Sequence, residues 1–166
     1  MVGMGCSGRV SAIMTARDFG LEQLCPKLRT MPYILTSPKD PRYNCVAFAV
    51  GDVTQFWYDV SINGYYWPPS ARSADTIEGW VDVFEIHGFR QTDDRSLETE
   101  YEKIAIYASA DGPEHVARQK ASGMWISKAG KGRDLEHELE ALEGNFYGKV
   151  VKIMKRKCQG GRRVLE

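Results

Sequence analysis

At 166 residues, with 43% hydrophobic and 27% charged side chains, the chain has the composition of a one-domain globular protein long enough to bury a core. Lys plus Arg (22) balances Asp plus Glu (22), so overall charge points to neither nucleic acid nor membrane as a partner. No apolar run reaches the length of a membrane span and no basic-then-apolar start reads as a signal peptide. That places the chain in the cytoplasm, or among secreted effectors that need no such signal.

The glycine-rich residues 1–8 are expected to be mobile. Gly3, Gly5 and Gly8 match the spacing of a dinucleotide loop but follow no strand, so no cofactor is expected from them. Residues 10–24 predict a helix carrying Ile13, Met14, Phe19 and Leu21, closed by Pro26. The core is expected over residues 27–156, with residues 28–40 a loop and residues 157–166 a basic tail. At residues 40–52, Pro41 fixes a turn, Asn44 is a good N-cap, Cys45 takes the first helical position and Gly51 is the stop. A thiol there sees the positive end of the helix dipole, which favours thiolate. The other reading of Cys45 is a small buried hydrophobe at the head of a core helix.

Aromatic residues crowd positions 56–67, suited to covering the core, or to forming a ligand wall or a nucleic-acid stacking platform, with Trp67 and Trp125 as candidates to line a substrate groove. Ser73 is expected to cap a helix through Ile77, Trp80, Val81, Phe84 and Ile86, ended by His87 and Gly88, with His87 structural. Residues 89–102 read as a solvated acidic connection with a short strand. Three strands follow as an antiparallel meander over residues 103–108, 114–119 and 124–128. Residues 134–142 then read as an amphipathic helix and residues 148–154 as a last strand. Helices first and strands second make the class α+β.

Cys6, Cys25, Cys45 and Cys158 show no metal-ribbon spacing and suggest free thiols. Cysteine catalysis needs a base near the sulfur and a polar group to orient that base. His115 sits early in a central strand and shares a face with Ala117 and Gln119, while Ser127 or Lys128 falls opposite it on the next strand. Ser127, Gln119, Asp134 and His137 are all candidates to hold the imidazole. Equally, His115 reads as a half-exposed strand residue, and His137 as a helix surface residue or a partner to the other site residues. A metal site built from Cys45, His115, Asp134 and His137 lacks characteristic spacing, and no metal is expected. The basic residues of 149–163 suit phosphate or RNA binding, or a solvated tail offset by the acidic residues 136–143.

The order of cysteine helix and strand histidine, with the segment EKIAIYASADGPEHVARQ, resembles papain-like folds, including the NlpC-type and CHAP-type amidases. More closely, YNCVAFAVGD, YWPP, KIAIYA, HVARQ, MWISKAG, DLEHELEALEG and YGKVVKIMKR resemble a family of small bacterial proteins built on a domain of unknown function, over residues 40–156. The resemblance implies a papain-like α+β fold, with an N-terminal helix carrying the cysteine ahead of an antiparallel sheet. It also implies Cys45 as nucleophile and His115 as base, acting on a peptide, isopeptide or side-chain amide through a thioester. The upstream glutamine that papain uses as oxyanion donor has no counterpart, and Asn44 is the nearest amide. The competing expectation is a non-catalytic protein- or nucleic-acid-binding domain on the same scaffold.

Overall fold

The computed structural model describes residues 16–59 and 64–159. The expectations placed on residues 1–8, on Cys6 and on the end of the tail lie outside the described residues. Among the described residues, three short helices, α1 (Phe19–Leu24), α2 (Cys45–Val50) and α3 (Ile77–Ile86), accompany seven strands. These are β1 (Tyr33–Leu35), β2 (Arg90–Thr92), β3 (Tyr101–Ser109), β4 (Gly112–Gln119), β5 (Trp125–Lys128), β6 (Asp134–His137) and β7 (Lys149–Lys157). They form one sheet in the order β1-β6-β5-β4-β3-β7-β2, antiparallel throughout.

The papain-like α+β arrangement expected from the sequence is overturned. The molecule is chiefly a seven-stranded antiparallel sheet. Strand β1 precedes the cysteine helix instead of following it, and that helix is only six residues long. The helix expected over residues 134–142 is strand β6 followed by a 3-10 turn, Leu139–Leu142. The reason is tertiary. Asp134 and Glu136 look solvent-bound in sequence, but Tyr43 reaches Asp134 at 2.8 Å and Lys120 reaches Glu136 at 2.5 Å, so the segment can pair between β1 and β5.

Alternation along the strands sorts the core into two layers. Ile104 and Ile106 of β3, Val116 of β4, Ile126 of β5 and Met154 of β7 meet α2, α3 and Trp57 on one face. Ala105 and Tyr107, Ala117, Trp125 and Ile153 turn the other way, toward Leu21, Leu28, Leu139, Leu142 and Tyr147. With both faces covered, the middle of β3 is buried at every position, as in a sheet that shows no face to water.

Local signals fix the helix ends. Asn44 caps α2 by accepting from the N–H of Ala47, and Gly51 closes it at φ 90°. Helix α3 is capped by Thr76, three residues beyond the expected Ser73, because Thr76 Oγ1 is the oxygen that reaches the N–H of Gly79. His87 ends α3 with Nδ1 2.7 Å from the carbonyl of Val83, a structural role as read from the sequence.

Candidate active site

Strands β4 and β5 pair only at Arg118–Ile126 and Gln119–Trp125. Beyond those pairs they part, with His115 to Ala117 on one bank and Ser127 and Lys128 on the other. Helix α2 packs across both strands. Its first residue delivers the Cys45 sulfur to this slot, where the backbone N–H groups of Val116, Val46 and Cys45 itself bear on it.

The approach to Cys45 is tied down on two sides. Asn44 accepts from the N–H of both Ala47 and Trp57 at 3.2 Å and donates to the Trp57 carbonyl at 2.8 Å. As cap and clamp together, its amide is engaged and points at no incoming acyl oxygen. Just upstream, Tyr43 donates to Asp134 Oδ2 at 2.8 Å. Lys128, buried, donates to the Gly132 carbonyl with its ammonium 4.5 Å from the Tyr43 ring centre. Backbone bonds from Thr36 to Asp134 and from Asp40 to Gly132 close the same join.

Four of the polar residues singled out in the sequence share the second layer, since His115, Gln119, Ser127 and His137 all project from the face opposite α2. Ser127 Oγ lies 2.8 Å from His137 Nε2, while His137 Nδ1 lies 2.7 Å from the Glu138 carbonyl. A carbonyl can only accept, so Nδ1 carries the hydrogen and Nε2 accepts from the serine. Gln119 donates to the Arg95 carbonyl at 3.3 Å. None of these bonds goes to His115. Its ring instead stacks on Tyr147, centroids 4.2 Å apart, and meets Tyr107 edge-on at 5.5 Å. Its Nε2 is buried with no hydrogen-bond partner among the described residues. Trp67 and Trp125 pack against opposite faces of the sheet and line no common groove.

The electrostatics reverse the expectation of an ionised thiol. Burial pushes Cys45 up to about 11, outweighing the backbone N–H groups that favour thiolate. Burial likewise holds His115 well below the ordinary imidazole range, with His137 adding in the same direction, and lowers His137 to about 4. At neutral pH the slot holds a thiol and two neutral imidazoles. Among the described residues, no group of three or more His, Cys, Asp or Glu side chains is arranged to hold a metal ion.

A family profile matches residues 34–155, most of the chain. The chain belongs to DUF7689, a domain of unknown function. The DUF7689 region contains Cys45, His115, Ser127, His137 and Tyr147, so the whole slot lies inside it. No curated protein and no solved structure matches the chain.

Tyr147 was not legible as a site residue, because an Asn-Phe-Tyr-Gly turn carries no chemical signal. Lys128 was legible as a residue that could fall opposite His115, but its burial over the Tyr43 ring was not. Of the basic residues of 149–163, Lys155 and Arg156 lie in β7 and pair with Glu98 and Glu102. No helix among the described residues is long and apolar enough to cross a membrane.

Proposed function

We propose that this domain is a cysteine-dependent amide hydrolase or acyl transferase, with Cys45 as nucleophile and His115 as general base. The observation that carries the reading is His115 Nε2, a buried ring nitrogen without a hydrogen-bond partner among the described residues, one residue from the backbone N–H that bears on the Cys45 sulfur. Buried polar atoms are almost always paired, and an exception in the interior calls for an explanation such as a proton it waits to receive.

The chemistry follows from two neutral groups. As an acyl carbon enters, the Cys45 proton passes to His115 while the S–C bond forms and the carbonyl electron pair moves onto oxygen. Collapse expels the amine, which takes the proton from His115. Water, or a second amine, then opens the thioester. A thiol near 11 is seldom ionised at neutral pH, so the base is indispensable on this route. The substrate is a protein or another amide-bearing molecule, and on this reading the chain is a distant bacterial relative of the cysteine amidases. We place the reaction in the cytoplasm, where thiols stay reduced; Cys25, Cys45 and Cys158 form no disulfide among the described residues.

A second reading, a non-catalytic protein- or nucleic-acid-binding domain, is favoured by the burial of Cys45 and its raised pKa. Acylation separates the two. The protein is incubated with activated esters and each cysteine is read by mass spectrometry. The hydrolase reading expects an adduct on Cys45 that falls about a hundredfold in folded His115→Gln. Equal acylation of Cys45 in His115→Gln, or none in the wild type, overturns it and leaves the binding domain.

A further inference from the structure

The slot has a cover, formed by residues 144–148. Gly144 and Gly148 exchange two backbone bonds, of 2.9 and 2.8 Å, and so close a small loop at its neck. Of the residues inside it, Asn145 and Phe146 face solvent and only Tyr147 turns in. The two ends of the loop differ. A Cβ at Gly148 would stand 1.9 Å from the Ala108 carbonyl oxygen, so that end is seated against β3. Around Gly144 nothing lies within 4 Å of such a Cβ.

Tyr147 is held differently from its neighbour in the same layer. Tyr107 is locked by a 2.5 Å bond from its hydroxyl to the Leu139 carbonyl. The Tyr147 hydroxyl makes no such bond among the described residues. Its ring is retained by stacking on His115 and by Phe146, 4.6 Å away and 45% exposed. Burial, with the nearby Cys45 and Cys25 acting in the same direction, keeps its phenol protonated. A side chain held by packing, without a hydrogen bond of its own, can leave at the cost of its apolar contacts in the second layer but without stranding a buried hydrogen bond.

We propose that residues 144–148 are a hinged flap, and that Tyr147 is the side chain that shuts the Cys45–His115 slot from solvent. Gly144 is the exposed end, bonded back to Gly148, and Gly148 is the end seated against β3. Lifting the flap uncovers the His115 imidazole and opens the way to the sulfur. What the flap admits rests on the hydrolase reading; that it opens does not.

The test reads exposure directly. Diethyl pyrocarbonate modification of His115 and iodoacetamide labelling of Cys45 are compared in wild type and Tyr147→Ala, with Cys158 labelling as the internal control. Both His115 and Cys45 are expected to react at least about tenfold faster in the variant, with Cys158 within about twofold. Unchanged rates at His115 and Cys45 in the folded variant overturn the proposal. Should Tyr147→Ala not fold, hydrogen exchange of the wild type decides. The Gly144, Tyr147 and Gly148 amides are expected to exchange together, about a hundredfold faster than those of Ile106 and Val116. Exchange as slow as that of the central strands overturns the flap. Acylation of Cys45 is scored separately. Faster labelling without acylation keeps the flap and removes the hydrolase, whereas acylation with unchanged labelling removes the flap alone.

Discussion

Ser127 gives its hydroxyl hydrogen to His137 Nε2 across 2.8 Å, and neither side chain reaches solvent. With Nδ1 committed to the Glu138 carbonyl, the imidazole is held neutral in a single tautomer. Ser127→Ala removes the partner of Nε2 and leaves a buried acceptor unsatisfied. The expected loss is about 1–3 kcal/mol, read as a lower urea midpoint at unchanged slope.

Acid should unfold this protein early, for a reason that lies in its histidines. A histidine whose pKa is depressed by folding stays neutral in the native state while the unfolded chain takes up a proton. Its stabilising contribution is therefore full above the ordinary 6.5 and is lost as pH falls toward the folded value. For His137 that window runs from 6.5 down to about 4, worth about 3 kcal/mol. His115, lowered by burial, acts in the same direction. Urea midpoints measured between pH 7 and 4 should fall steeply, and His137→Gln should flatten the slope.

Asn44→Ala should cost more than an ordinary lost cap. Replacing a capping amide costs about 0.5–2 kcal/mol. Here the same side chain also pairs with the N–H and carbonyl of Trp57, whose indole is buried. The expected outcome is a loss at the upper end of that range, with a shift in tryptophan fluorescence. A drop of only a few tenths of a kcal/mol would show that the clamp contributes nothing.

The two glycines of the flap should answer oppositely to alanine. At Gly148, φ is +74° and the new methyl would overlap the Ala108 carbonyl, so Gly148→Ala is expected to cost roughly 2 kcal/mol or more. At Gly144 the space is open and φ is not positive, so Gly144→Ala should be neutral to within about 1 kcal/mol. Paired urea titrations decide it.

What the sequence made legible was whatever local chemistry decides. Helix α2 could be read from Asn44 and Gly51, and strands β3 to β5 from β-prone runs between turns, because caps and alternation act within a few residues. Strands β1 and β6 could not. Three and four residues long, they exist because each finds the other across a hundred positions, and Asp134 and Glu136 are polar because distant partners receive them. At the slot, the shared face of His115 and Gln119 followed from strand parity. The direction of the Cys45 shift did not, since the dipole is local and burial is a property of the whole molecule.

The order of strands also sets when the sheet can be finished. Strands β3, β4, β5 and β6 are neighbours in space and in sequence, so they can zip together as they leave the ribosome. Strand β2, residues 90–92, leaves long before them and pairs only with β7, residues 149–157, near the end of synthesis. Until β7 arrives, β3 presents an open margin along nearly its full length. The nascent chain therefore passes through a stage with a long bare edge, the state in which strand-to-strand aggregation competes with folding. Truncation before residue 149 is expected to yield a sticky, incomplete sheet in place of a smaller stable domain.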